Sequence, residues 1–167
     1  MISMQFVSAD DAFRRLSGRG IQNPLLRAGL AFAGANTWLH GEEPPAAAGN
    51  GVLTAEEVTG LDLDGTELVV LSACQTGLGK VELGEGVLGF RRSFVLAGAR
   101  TVILSLWQVP DNPTRELMED FYLRLRDRRP RAEALREAKL HLRAHYPYDA
   151  SWAAFICQGD PDPMGNP

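Results

Sequence analysis

Cysteine is scarce in this chain: there are two among 167 residues, Cys74 and Cys157, both in apolar, strand-like runs. Neither has a cysteine or histidine nearby at a metal-ligand spacing, so no zinc framework is expected, and no disulfide framework either. A reducing compartment fits that usage. Positive charge is also in short supply. The formal net charge is −4, and the arginines of "RLRDRRPRAEALR" alternate with acids and apolar residues along a helical pattern. The chain therefore has no basic field, and nucleic acid is not an expected partner. No apolar run approaches the ~20 residues that span a bilayer. The opening "MISMQFVSADDAF" has no basic start and no apolar core ahead of a small-residue cleavage site. The expectation is a soluble, unexported, cytoplasmic protein with no membrane partner.

What the chain does have is enough apolar material for one globular domain. Hydrophobic residues make up 45% of it, and a chain of this size removes roughly 70% of its unfolded surface from water on folding. Residues 1–22 mix charge, glycine and short apolar patches without a sustained period, and read as a poorly defined lead-in or a short helix over 9–16. "NPLLRAGLAFAGAN" predicts a strand near 28–33, and "GEEPPAAAGNG" a loop. In "LTAEEVTG", Thr54 and Glu57 stand three apart, the reciprocal capping arrangement for a helix start, with Gly60 as its stop.

The informative half follows. "ELVVLSA" is a continuous apolar run, as expected of a strand covered on both faces. "EGVLGFRRSFVLAG" has helical spacing and ends at Gly98, where a left-handed cap favours glycine. "RTVILSLW" is a second strand. "DNPTRELMEDFYLRL" predicts a helix capped by Asp111 or Asn112, with Pro113 near its first position and a stripe of Leu117, Phe121 and Leu125. After Pro130 another amphipathic helix runs through Leu135, Ala138 and Leu142. "SWAAFIC" closes as a third strand. Strand, helix, strand, helices, strand is an α/β pattern with a mainly parallel sheet. No internal repeat is present.

On such a sheet, reacting groups collect beyond the carboxyl ends of strands. Cys74 stands at that edge, followed by the glycine-dense loop "QTGLGKVELGEG". A buried thiol is the bland alternative, since free cysteine packs as a small hydrophobe. A phosphate cradle would use the same residues. However, the lysine of "GLGK" is followed by Val81 rather than Ser or Thr, and no glycine stands where the leading glycine of a P-loop belongs. The glycines also miss the dinucleotide fingerprint. No cofactor is expected.

From about Asn23 to Pro161 the sequence resembles the C-terminal part of a CHAT domain, the caspase-like module of proteins that often carry tetratricopeptide repeats. The resemblance rests on "NPLLRAGLAFAGAN", on "GVLTAEEVTGLDLDGTELVVLSACQTGLGKVELGEGVLGFRRSFVLAGARTVILSLWQVPD" and on "SWAAFICQGDP". It implies a three-layer caspase-like fold over 23–161, incomplete at its amino end, with a tail at 162–167. It also implies a cysteine endopeptidase in which Cys74 is the nucleophile and a protein or peptide is the substrate. "SLWQVPD" is similar to the "LWDVTD" segment of separase, which implies that Asp111 lines a pocket for a basic P1 side chain. Gln108 departs from the acid found at its position there. A carboxylate can pair bidentately with arginine, so the chemistry is sensible, while a helix cap would equally explain Asp111.

A cysteine peptidase needs a base, because a free thiol is mostly protonated at neutral pH. The family supplies it as a His-Gly pair at a strand end upstream of the "NPLL" segment. No histidine precedes Asn23 here. His40–Gly41 spells the pair, but after "FAGAN", where the family has a variable loop. His141 and His145 stand four apart on a helix and, lacking a third ligand, read as solvated face residues rather than a metal site. The chain is thus expected to be the nucleophile-bearing part of a peptidase, with weak activity alone, or else a catalytically inactive interaction or regulatory module. An exposed sheet edge would favour self-association or a partner that completes the sheet.

Overall fold

The structure is a computed structural model, and it describes residues 5–7, 25, 29–32, 35–43, 49–72, 76–77, 85–107 and 109–165. The helix expected over 9–16 lies outside them. The elements in chain order are β1 (Gln5–Val7), β2 (Gly29–Ala31), α1 (Ala35–Leu39), β3 (Val52–Thr54), α2 (Ala55–Thr59), β4 (Val69–Leu71), β5 (Thr76–Gly77), α3 (Glu85–Leu96), β6 (Thr101–Ser105), α4 (Asp111–Arg126), α5 (Arg131–His145), α6 (Asp149–Trp152) and β7 (Phe155–Gly159). This is a mixed α/β architecture. It divides into two compact units: Met1–Asp62 with Ala73–Ala97, and Leu63–Ser72 with Gly98–Pro167.

The first unit holds a four-stranded sheet of order β3-β2-β1-β5. Its β1–β2 and β2–β3 pairs are antiparallel, and its β1–β5 pair is parallel. Thr54 ends β3 and caps α2. Its hydroxyl accepts from the Glu57 amide at 3.2 Å, while the Glu57 carboxylate accepts from the Thr54 amide and hydroxyl at 2.8 Å each. Two orphan amides of the helix start are thereby satisfied, and Gly60 closes the helix as the pattern predicts. Val58 of α2 and Phe90 of α3 are fully buried, and the Phe90 and Phe94 rings meet edge to face with centroids 5.2 Å apart.

The second unit holds a three-stranded sheet of order β4-β6-β7. All five residues of β6 are buried, as its apolar run requires. Leu117, Phe121 and Leu125 of α4 and Leu135, Ala138 and Leu142 of α5 face the same core with Ile103 and Phe155, so the predicted stripes are the packed faces. The two helices run antiparallel. Tyr146 donates to Glu116 at 2.9 Å, His141 meets Asp120 at 3.1 Å, and Arg124 pairs with Glu137, so one number falls as the other rises.

Parallel pairing is confined to part of each sheet. β4 and β6 are parallel, but β7 runs antiparallel to β6. Between β6 and β7 the antiparallel pair α4–α5 reverses the chain twice, so β7 arrives the other way round. β7 also begins later than "SWAAFIC" suggests, because residues 149–152 form the short helix α6.

Gly98 has φ +105°, and a side chain there would collide with Asp64, which accounts for glycine just after α3. Arg131, the first residue of α5, is buried with 1% exposure. Its guanidinium reaches Asp160 at 3.1 Å, Glu67 at 3.3 Å and the Asp162 carbonyl at 3.0 Å. Acceptors distant in sequence hold the charge inside.

Candidate active site

Because β4 and β6 are parallel, with Leu71 opposite Leu104, their carboxyl ends emerge on one edge at Ser72 and Ser105. That edge is where an α/β sheet presents variable loops on a fixed support. Ser72 is exposed. Cys74, two positions further along the chain, lies outside the described residues, as does Gln108.

The loop leaving β6 is tied down at each step. The Leu106 amide donates to the Ala154 carbonyl at 2.9 Å, and the Trp107 indole N–H donates to the Ala150 carbonyl at 3.0 Å. Val109 is buried in the core. The Pro110 carbonyl accepts from the Thr114 hydroxyl at 2.9 Å. Trp107 keeps 41% exposure beside this anchor, so an aromatic face is held at the rim. The run "RTVILSLW" places Trp107 at the end of a strand, whereas β6 stops at Ser105 and leaves the indole N–H free of the ladder to make the bond to Ala150.

Asp111 is the first residue of α4 and is exposed. It does not cap the helix, and neither does Asn112. Pro110 occupies the cap position with φ −58° and ψ 146°, and no side chain makes a capping hydrogen bond. The proline fixes the extended entry, so the helix starts one or two residues earlier than expected and Pro113 falls third in the first turn, where amides have no intrahelical acceptor. The Asp111 carboxylate is thus presented to solvent from a pinned loop, at the helix end whose dipole favours negative charge.

The histidines do not gather at this edge. His40 is exposed in the turn after α1, so a helix and not a strand precedes His40–Gly41. His141 pairs with Asp120, and the Nδ1 of His145 lies 3.3 Å from the His141 carbonyl oxygen. Among the described residues no group of three acidic, histidine or cysteine side chains is placed to hold a metal ion. No helix among them is long and apolar enough to cross a membrane. Cys157 is half-buried in β7 and burial pushes its thiol pKa up, away from the reactive thiolate. Burial likewise pushes the nearby Lys139 ammonium down, and that group donates to the Ala153 carbonyl at 3.4 Å.

The model of the CHAT domain matches residues 6–160. The chain belongs to the CHAT domain family. Tetratricopeptide repeat protein 28 from Homo sapiens is 32% identical over 118 residues, covering 70% of this chain and 5% of that protein. Its Mus musculus counterpart is 30% identical over the same length and shares. The CHAT chain described here therefore spans about 5% of the length of the curated relatives it matches.

Proposed function

We propose that this CHAT domain is a caspase-like cysteine endopeptidase domain in which Cys74 is the nucleophile and Asp111 receives a basic P1 side chain. The observation that carries the reading is the shared carboxyl edge of β4 and β6. The strand before Cys74 and the strand before the Asp111 loop end there side by side, within a chain of the CHAT family. The step is acyl transfer: the Cys74 sulfur attacks the scissile carbonyl carbon, the C–N bond breaks, and the leaving amine takes up a proton. Water then hydrolyses the thioester and restores the thiol. The Asp111 carboxylate, free of any capping duty, is available to pair with an arginine guanidinium or a lysine ammonium.

The chemistry also needs a proton acceptor for the thiol. None of the three histidines stands at a strand end: His40 follows α1, and His141 and His145 lie on α5. The isolated chain is accordingly expected to be labelled at Cys74 much faster than it turns over peptide. The test is a peptidyl electrophile with Arg at the position next to its warhead, applied to the full chain with the labelled site read by mass spectrometry. Preferential labelling of Cys74 over Cys157, with the Arg preference lost in Asp111→Asn, supports the reading. Equal, slow labelling of both thiols refutes it and leaves a non-catalytic interaction module. Peptide cleavage abolished by both Cys74→Ala and His40→Ala would instead assign the base to His40.

A further inference from the structure

The solvent face of α4 is built unlike an ordinary helix exterior. At 100° per residue, Glu119, Tyr122, Leu123 and Arg126 project on the side opposite the buried Leu117 and Phe121. Tyr122 and Leu123 are each 49% exposed, two large apolar side chains in the middle of a charged surface. The charges around them are segregated in part, with Arg115 on the amino side and Asp127 at the carboxyl end as the exceptions. Glu116, Glu119 and Asp120 lie on the amino side, and beside Leu123 they line a groove of about 390 Å³ against Ala138, His141, Leu142 and His145 of α5. Arg126, Arg128 and Arg129 lie on the carboxyl side, at the helix end and in the exposed turn to α5.

We infer that this face pairs with a second copy of the chain, the two α4 helices lying antiparallel about a two-fold axis between Tyr122 and Leu123. That register is singled out by charge. It sets Tyr122 against Leu123 of the partner subunit and Glu119 against Arg126 of the partner subunit. It also carries Glu116 toward Arg129 of the partner subunit, and every contact is repeated by symmetry. Shifting the axis toward the amino end by one helical turn would set Glu119 against Glu119 of the partner subunit, which like-charge repulsion disfavours. The intrachain pairs that the new contacts would replace are exposed ones. Arg115–Glu119 has side chains 53% and 60% exposed, and Arg126–Asp127 spans 3.8 Å with 74% and 70% exposed. Such exposed pairs contribute little to folding. One helix face is smaller than the ~800 Å² that each partner buries in a standard interface, so the dimer is weak, in the micromolar range or above.

The test is sedimentation equilibrium of the full chain up to about 500 µM, a range that covers weak dimers. Glu119→Arg and Arg126→Glu are each expected to raise the dimer dissociation constant by roughly tenfold or more, and the double variant E119R/R126E to return it to near the parent value. Tyr122→Glu places two carboxylates at the axis and is expected to abolish the dimer. Thermal melts by circular dichroism check that each variant is folded. A chain that stays monomeric throughout, a dimer indifferent to the single reversals, or a double variant that does not recover would each overturn the inference.

Discussion

Replacing Arg131 with methionine tests whether the buried guanidinium stabilises the second unit. Arg131 starts α5, where the helix dipole disfavours a cation, and it is 1% exposed. It is retained by Glu67 at 3.3 Å and Asp160 at 3.1 Å, with the Asp162 carbonyl at 3.0 Å. Removing one partner of a buried ion pair typically costs about 3–5 kcal/mol, because the remaining charge is stranded. Two features reduce that here. The Glu67 and Asp160 side chains keep 26% and 36% exposure and so recover hydration, and methionine preserves most of the packing of the arginine stem. A loss of about 2–3 kcal/mol is expected, which lowers the melting temperature of a domain this size by roughly 5–10 °C. The pH dependence supplies a second readout. The Asp162 amide first, and then Arg131, hold the Asp160 carboxyl below the usual carboxylate range. A depressed folded pKa contributes stability that is present above the unfolded value and lost as pH falls through the folded one. In Arg131→Met part of that depression is gone. Urea titrations should therefore show the gap between parent and variant widest near pH 7 and narrowing below about pH 4. A gap under about 1 kcal/mol at neutral pH, or one that does not narrow in acid, would refute the reasoning.

Two further substitutions probe the same unit. Phe121→Ala empties a fully buried position of the α4–α5 core and is expected to cost about 3–5 kcal/mol by urea denaturation; a loss below about 1 kcal/mol would mean that the core closes over the gap. Gly159→Ala puts a side chain at φ +105° directly against the carbonyl oxygen of Arg100. Backbone on both sides leaves nothing flexible to move, so the loss is expected to reach at least about 2 kcal/mol, with a matching drop in melting temperature.

How much of this was legible in the sequence depended on how many residues carried each signal. β6 announced itself because five consecutive positions are buried, and α4 and α5 because their apolar stripes repeat over fifteen or sixteen residues. The Thr54–Glu57 cap was readable because both partners lie within one turn. β1, β3 and β5 have only two or three residues each, too few for any period to emerge, and five-residue α1 was missed for the same reason. The Asp111 cap failed because the cap position is fixed by the backbone of Pro110, not by which nearby side chain could accept. Arg131 looked like its neighbours in "RDRRPRAEALR", since its acceptors, Glu67 and Asp160, lie 64 residues upstream and 29 residues downstream. For the candidate site, the parallel edge was legible, whereas the anchoring of its loop through Trp107 and Ala150 depends on a contact 43 residues long.

The reversal of β7 links these observations. Running antiparallel to β6, it ends with Gly159 opposite Thr101, at the amino edge of the sheet. The following residues are fastened there: the Asp160 amide donates to the Arg100 carbonyl at 2.9 Å, the Thr101 hydroxyl donates to the Asp160 carbonyl at 2.7 Å, and the Gly165 amide donates to Glu67. Arg131 closes the same cluster. The second unit thus fastens its amino edge through charged and polar side chains distant in sequence, while the opposite edge, with Ser72 and Ser105, is held by the Leu106 and Trp107 hydrogen bonds to Ala154 and Ala150. Had β7 been parallel, its trailing segment would have emerged at the carboxyl edge beside the Asp111 loop. The Arg131 cluster and the proposed site therefore lie at opposite ends of the same strands. It follows that losing the Arg131 cluster should weaken the fold while leaving the relative labelling of the two thiols unchanged under conditions where the chain remains folded.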